Sequence, residues 1–164
     1  MKKIVQQDDP VLRKIAKTVA VSSINTPEVQ LIIKEMFDAL FTQEDGIALA
    51  APQIGYEKRI FIISPQINSN DSNIPLVYIN PEITFISKDK KTMEEGCLSC
   101  RWLYGKTKRA SRVHIHAFNQ EGKEFSYKVS GLLAQIYQHE IDHLNGILFI
   151  DKAKSLKELN PNEK

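Results

Sequence analysis

The chain has 164 residues, of which 42% are hydrophobic and 26% charged, and its formal net charge is +2 at pH 7. This length suffices for a single compact domain, and the near balance of charge excludes a protein built around DNA or a membrane surface. No apolar run approaches the roughly 20 residues of a membrane span, and the polar N-terminal residues do not form a signal peptide, so we expect a cytoplasmic protein.

The N-terminal part is predicted to form a pair of helices. Asp9 and Pro10 supply a capping side chain and a proline at the first helical position, which predicts a brief first helix. Thr26 and Pro27 repeat this start signal before a long helix that ends before Gly46. The apolar residues of this second helix recur at the three-and-four spacing of a buried stripe, namely Val29, Ile32, Ile33, Met36, Phe37, Leu40 and Phe41.

The central part of the chain is predicted to form short strands. Runs rich in β-forming residues cover 59–64, 76–80, 82–86, 112–118 and 123–129, and residues 119–122 close the last two strands as a hairpin. Residues 68–73 have the composition of a polar loop. Helices at both ends of a set of antiparallel strands indicate an α+β fold.

The C-terminal part contains a second strong helix signal. Ser130 and Gly131 open this helix, Gly146 is its expected left-handed stop, and 147–150 are predicted to form a short strand. The lysine-rich tail from about residue 152 is expected to be frayed, with one helical turn over 155–159. The predicted architecture is therefore one catalytic domain over 1–164, with antiparallel strands packed around this central helix.

The central helix carries the sequence Gln-His-Glu-Ile-Asp-His over 138–143. His139 and His143 are four residues apart, so both imidazoles leave one face of the helix and can reach one metal ion. Glu140 projects beside that ion, where it can accept a proton from water. A catalytic site usually needs a third protein ligand, and Cys97 is the candidate. The sequence thus predicts a metal site of Cys97, His139 and His143 with Glu140 as general base.

A third motif consists of small residues that lead to a glutamine, Gly-Ile-Ala-Leu-Ala-Ala-Pro-Gln over 46–53. Small residues let a backbone pass close to a ligand. This motif, then Glu-Gly-Cys-Leu-Ser over 95–99, then the His-Glu-x-x-His segment, occur in that order along the chain. Together they resemble the three signature motifs of peptide deformylases, and the resemblance spans residues 46–146.

The resemblance implies a hydrolase of N-terminal processing, which removes the formyl group from N-formylmethionine of new polypeptides and releases formate. It implies one divalent ion, Fe²⁺ in the cell, which Zn²⁺, Ni²⁺ or Co²⁺ can replace. The resemblance also implies that Cys97, His139 and His143 bind the metal and that Glu140 is the acid–base residue. Gln53 and the backbone N–H of Leu98 would donate hydrogen bonds to the formyl oxygen, where preorganised donors lower a barrier by several kcal/mol.

By the same analogy the peptide substrate is expected to lie extended along a strand edge. The residues expected around the substrate and its methionine are Ile47, Ala48, Met93, Gly96, Leu132 and Ile136. The family usually has glycine where this chain has Ala48, and an aliphatic residue and a proline where it has Cys100 and Arg101. These departures leave the peptide affinity and the sequence preference beyond methionine open. Whether the protein makes a transient contact with the ribosome is also open.

The same metal motif also allows two other functions, a structural zinc site and a zinc peptidase. Cys97 and Cys100 with the two histidines could form a closed Cys2His2 structural zinc site in a non-catalytic domain. Against it, the histidines lie far downstream, and in an extended segment Cys100 would face away from Cys97. A zinc peptidase is the other alternative, but the chain has no histidine after His143 to serve as its downstream ligand.

The remaining polar residues are assigned no chemistry. Glu95 is expected to be an ion-pair partner for a cation such as Arg109. His114 and His116 alternate with apolar residues and are expected on the outer face of a strand. The basic residues are expected to form a solvated face, namely Lys106, Lys108, Arg109 and Arg112.

Overall fold

The computed structural model describes residues 2–68 and 74–159. In this part of the chain, two α-helices and eight strands form an α+β fold with two antiparallel sheets. The helices are α1 (Pro27–Phe41) and α2 (Gly131–Leu144). The strands are β1 (Ala48–Ala50), β2 (Ile60–Ile63), β3 (Val77–Ile86), β4 (Lys90–Gly96), β5 (Leu103–Ala110), β6 (Arg112–Phe118), β7 (Glu124–Ser130) and β8 (Lys154–Glu158).

The larger sheet has five strands in the order β1-β2-β3-β6-β7 and lies between the two helices. Alternate residues of its strands point to opposite faces. In β2, for example, Phe61 and Ile63 belong to the apolar cluster that includes α2, whereas Ile60 and Ile62 belong to the cluster that includes α1. The apolar stripe of α1 is buried as predicted, apart from the partly buried Phe37 and the exposed Phe41.

The smaller sheet has three strands in the order β4-β5-β8. Helix α2 contacts β5 of this sheet and also β1, β2, β6 and β7 of the larger one. Its buried residues therefore face two sheets, which explains why most of α2 is buried beyond a single stripe. This arrangement brings the loop after β4 close to the C-terminal half of α2.

Several elements differ from the sequence expectations at the ends of the chain. The expected N-terminal helix pair is not confirmed, because Pro10–Arg13 is a single 3₁₀ turn and the chain is already extended at Lys14. Two residues later the Ala16 N–H binds the carbonyl of Leu144, which ties this segment to α2. The expected strand over 147–150 is wrong, since Phe149–Asp151 is a 3₁₀ turn whose Asp151 carboxylate accepts from the Leu148 N–H.

The polar strands account for the other differences. The helical turn expected over 155–159 is wrong, because Lys154–Glu158 pairs with β5 as strand β8. Strands β1, β4 and β5 were not predicted. The two strands expected over 76–86 form one strand, β3, with an irregularity at Asn80 and Pro81, and the Asn80 amide holds the backbone of Val19. The hairpin between β6 and β7 forms as predicted. The expected polar loop lies outside the described residues except for residue 68.

Neither α-helix of the described residues has the length and apolarity that crossing a bilayer requires.

Candidate metal centre and active-site cleft

Three potential metal ligands meet between the loop after β4 and the C-terminal half of α2. The donor atoms of Cys97, His139 and His143 all lie within 4.8 Å of one another. The Cys97 Sγ is 3.2 Å from the His143 Nε2. A thiolate with two imidazoles suits a divalent ion such as iron or zinc, and burial lowers the pKa of His143 well below its usual value, which keeps it neutral as a ligand must be. The residues present therefore fit a metal.

The local sequence fixes α2 so that its histidines face Cys97. The Gln138 amide accepts from the Ala110 N–H at 2.9 Å and donates to the Ala110 carbonyl at 3.0 Å, which ties the helix to β5. The helix ends at Leu144, and two residues later Gly146 has a φ of +73°, a left-handed conformation that favours glycine. A Cβ at Gly146 would lie 2.6 Å from the carbonyl oxygen of Arg13. Glycine is therefore required for the close approach of the N-terminal segment.

The Glu95 carboxylate orients the first histidine. Its Oε1 lies 2.7 Å from the His139 Nδ1, which leaves Nε2 for a metal. Thr107 and Arg109 donate to the same carboxylate. Burial raises the pKa of Glu95, but the hydrogen bonds from His139 and Arg109 outweigh this and hold the pKa well below its usual value. Glu95 is therefore an ionised, buried acceptor that fixes the imidazole.

Arg109 extends this network to the back of α2. Its guanidinium donates to Glu95 and, at 2.6 Å, to the Asp142 carboxylate, which also accepts from Lys152. The Arg109 side chain is only 3% exposed. The expected Glu95–Arg109 ion pair is thus present. The expectation that Arg109 belongs to a solvated face is wrong, because its two carboxylate partners lie on the buried side of β5.

Glu140 is fully buried beside the histidines, and its Oε2 has no hydrogen-bond partner among the described residues. Burial raises the pKa of this carboxyl to about 7, against the opposing effect of His139. A carboxyl group with a pKa near neutrality can both accept and donate a proton at working pH. An unpaired buried carboxylate oxygen is costly unless a ligand or water completes it. Its position and its unpaired oxygen therefore suit an acid–base group.

Gln53 directs its amide nitrogen toward the three potential ligands Cys97, His139 and His143, which together are called the metal group. The Gln53 Oε1 accepts from the Ala50 N–H at 2.8 Å, while Nε2 donates to the Ser99 Oγ at 3.1 Å and lies 3.6 Å from the Cys97 Sγ. The side chain is buried, so it is not a solvated loop residue. The Leu98 carbonyl accepts from Gln6, whereas the Leu98 N–H makes no hydrogen bond within residues 2–68 and 74–159.

A cleft of about 320 Å³ opens over these residues. Four of its lining side chains were expected around the substrate: Ile47, Ala48, Leu132 and Ile136. Gly96 also lines the cleft, together with Gln53, Leu98, His139 and Glu140. Met93, which lies in β4 three residues before Gly96, is not among the residues that line it. One wall of the cleft is β1, which pairs with β2 on one side and has no strand partner among the described residues on the other.

Cys100 lies next to the metal group without joining it. The segment 97–100 is a turn, closed by a 3.0 Å hydrogen bond from the Cys100 N–H to the Cys97 carbonyl. The expectation that an extended segment turns Cys100 away is therefore wrong. Even so, the ligand group contains only Cys97, His139 and His143. The closed Cys2His2 zinc site gains no support from the described residues.

Sequence reasoning missed the contact of Glu95 with His139, the part of Asp142 and the ion pair at the cleft rim. Glu95 lies two residues before Cys97, the spacing of one strand face, and this was the available signal for its contact with the site. Asp142 gave no comparable signal, because its partner Arg109 is 33 residues away. At the rim, the Arg101 guanidinium binds the Asp45 carboxylate, which no local pattern indicated.

Comparisons with known proteins agree with this site. The family model for polypeptide deformylase matches residues 1–159. A peptide deformylase from Desulforudis audaxviator is 40% identical over 154 residues, which cover 93% of this chain and 94% of that protein. The crystal structure of the peptide deformylase from Thermotoga maritima matches with a TM-score of 0.83 and 35% identity, over 94% of this chain and 98% of that one.

The peptide deformylase from Synechococcus elongatus, solved in complex with actinonin, matches with a TM-score of 0.83 and 36% identity over 94% of this chain and 79% of that one. Family membership thus agrees with the ligand group, the buried glutamate and the cleft. The chain belongs to the polypeptide deformylase family, metal-dependent hydrolases that remove the N-formyl group from N-formylmethionine peptides.

Proposed function

We propose that Cys97, His139 and His143 hold one ferrous ion and that Glu140 is the acid–base residue of the deformylation. The observation that carries this proposal is the meeting of three ligand atoms within 4.8 Å beside a buried carboxylate oxygen that has no partner. The thiolate makes the donor set soft enough for iron, and the same set also accepts zinc, nickel or cobalt. When bound, such an ion acts as a Lewis acid toward the formyl carbonyl and makes water more acidic.

The protein residues then move one proton. Glu140 takes it from the water whose oxygen adds to the formyl carbon. The same carboxyl group returns the proton to the amide nitrogen as the carbon–nitrogen bond breaks, which leaves formate and a free amino terminus. A carboxyl group placed in this way contributes roughly 10²- to 10⁴-fold to a rate. The pKa of about 7 that burial gives to Glu140 suits both directions of transfer.

Two donors are proposed to bind the formyl oxygen as negative charge develops on it. The Gln53 Nε2 is held toward Cys97 by the hydrogen bond that its other amide atom accepts from Ala50. The Leu98 N–H makes no hydrogen bond to any described residue and is therefore available. Donors fixed before the reaction need no reorganisation, and the loss of one typically costs about 10²- to 10³-fold in rate.

The cleft is proposed to bind the methionine side chain and the start of the peptide. The apolar surface of the cleft comes from Ile47, Leu132 and Ile136. The side chains of Ile47 and Leu132 are about half exposed, which is typical of an apolar ligand-binding surface. The free edge of β1 offers backbone groups to an extended peptide. Ala48 lies at the start of that edge and adds a methyl group to the wall.

We further propose that the chain acts as one catalytic domain in the cytoplasm, where new polypeptides emerge. The surface proposed for a transient ribosome contact is the groove lined by Lys106, Lys108 and Lys154. None of these three lysines makes an ion pair with another residue in the described ranges. Phosphate groups of RNA are the complementary partner for such a groove.

The test is formate release by protein purified without oxygen. One equivalent of iron and release from a short formyl-Met peptide are expected. Glu140→Ala is expected to keep the metal and lose about 10²- to 10⁴-fold in kcat. Glu121→Ala, an exposed hairpin residue, is the matched control and should behave as wild type. Equal activity of Glu140→Ala and wild type would overturn the acid–base role, and cleavage of an unformylated peptide would indicate a peptidase instead.

A further inference from the structure

The only two cysteines of the chain lie in one turn at the metal group. Cys97 and Cys100 are three residues apart, and the Cys100 N–H binds the Cys97 carbonyl at 3.0 Å. Such a turn holds its first and fourth Cα atoms less than about 7 Å apart. Disulfides form across Cα separations of about 4.4–6.8 Å. The turn therefore brings the two residues into the range in which one covalent bond can join their sulfurs.

The two thiols also share their surroundings. Cys97 packs against the apolar cluster that contains Cys100, Leu12, Leu148 and Phe149. Both residues line the open cleft, so a small oxidant can reach them from solvent. Cys97 is the more exposed, whereas Cys100 is 1% exposed. An oxidant that enters the cleft therefore reacts first with Cys97, the more exposed of the two thiols.

We propose that Cys97 and Cys100 form a site of reversible oxidation, in which Cys100 traps peroxide-oxidised Cys97 as an intramolecular disulfide. The Cys97 sulfur attacks hydrogen peroxide, the oxygen–oxygen bond breaks, and one water leaves while Cys97 becomes a sulfenic acid. The Cys100 sulfur then attacks the Cys97 sulfur. A sulfur–sulfur bond forms, the sulfur–oxygen bond breaks, and the Cys100 proton leaves in a second water. Two thiols have lost two electrons, and peroxide has been reduced to two waters.

The disulfide has two consequences for the enzyme. A sulfur in a disulfide is no longer the thiolate that binds metal, so the oxidised protein loses one of its three ligands. The disulfide also stops oxidation at a stage that thiols reverse, whereas a sulfenic acid with no neighbouring thiol proceeds to sulfinic and sulfonic acids. The structure thus gives Cys100 a protective role that goes beyond the proposed deformylation chemistry.

The test compares metal-loaded wild type with Cys100→Ser after hydrogen peroxide. Free thiols under denaturing conditions, the intact mass and the bound metal are measured before oxidation, after it and after dithiothreitol. Wild type is expected to lose both thiols, two hydrogens in mass and its metal. After dithiothreitol and fresh metal it should regain all three. Cys100→Ser should gain the mass of two or three oxygen atoms and recover neither thiol nor metal.

Cys100→Ala is the second variant, because it keeps the apolar character of this buried position and should match Cys100→Ser in every readout. Both variants should release formate before oxidation, and this measurement separates a failure of the redox inference from a failure of the proposed function. Equal irreversible oxygen uptake by wild type and both variants would overturn the inference. So would a disulfide that joins two chains, which would appear at twice the mass.

Discussion

Replacing Arg109 with methionine is expected to lower the free energy of unfolding by about 3–5 kcal/mol, the usual cost of breaking a buried ion pair by removing one partner. The Arg109 guanidinium makes two hydrogen bonds to Glu95 and one to Asp142. A hydrogen bond to a charged group contributes a net of roughly 1.5–3 kcal/mol, and contributions within one network do not simply add. The Glu95 side chain is 4% exposed, so water cannot replace the lost donors there.

The assay is urea denaturation of the metal-loaded protein, followed by circular dichroism. For a slope of about 2 kcal/mol/M, this loss shifts the midpoint down by about 1.5–2.5 M. Arg112→Met is the matched control on β6, the next strand along the chain, because the Arg112 side chain is 64% exposed and its Nη2 lies 3.7 Å from Oδ1 of the Asp89 side chain, which is 59% exposed. Exposed pairs of this kind contribute about 0–1 kcal/mol, so the control should shift the midpoint by less than about 0.5 M.

A midpoint shift in Arg109→Met that is no larger than the shift in Arg112→Met would refute this reasoning. It would mean that Glu95 and Asp142 find sufficient partners in Thr107, Gln135 and Lys152 once Arg109 is gone.

Three further predictions follow from the cleft and the turns. Glu95→Gln should weaken metal binding about 10- to 100-fold, measured by competition with a chelator. The control Glu94→Gln, on the exposed face of β4, should bind metal as wild type does. Equal metal affinities of the two variants would contradict the orienting role of Glu95. Ala48→Gly should lower KM for formyl-Met peptides by about fivefold or more with kcat unchanged, since one methyl group in a pocket is worth roughly 1–3 kcal/mol, and an unchanged KM would show that the methyl group does not obstruct the groove. Gly146→Ala should lower the melting temperature more than Gly131→Ala, because both have positive φ but only the former meets backbone at 2.6 Å; equal losses would argue against that close contact.

The sequence predicted best those elements whose signal is local. The apolar stripe of α1 and the hairpin after β6 need only neighbours along the chain, and both are present. The spacing of His139 and His143 likewise follows from helix geometry alone. Strands β4 and β8 were missed because most of their residues are charged, and β5 because its buried positions include glycine, threonine and arginine. None of the three shows an alternation of apolar side chains. Their pairing depends on one another and on α2, which no local window contains.

The candidate site divides in the same way. The potential metal ligands could be predicted from the residue spacing within each motif. The burial of Arg109 could not be predicted in this way. Arg109 looks like one more cation in a basic run, and it is buried because Glu95 and Asp142, 14 and 33 residues away, both converge on it. The turn that ends at Cys100 was not predicted, because the sequence has no glycine or proline between the two cysteines or just after them.

The separation of the ligands along the chain gives the proposed ion a part in the thermodynamics of folding. Cys97 and His143 lie 46 residues apart, and in chain-entropy models a cross-link of that span removes roughly 4 kcal/mol of freedom from the unfolded state. An ion that joins them would also join the three-stranded sheet to α2. The apoprotein would then be the less stable form, and the three donors meet only after His143 has been synthesised and α2 has docked.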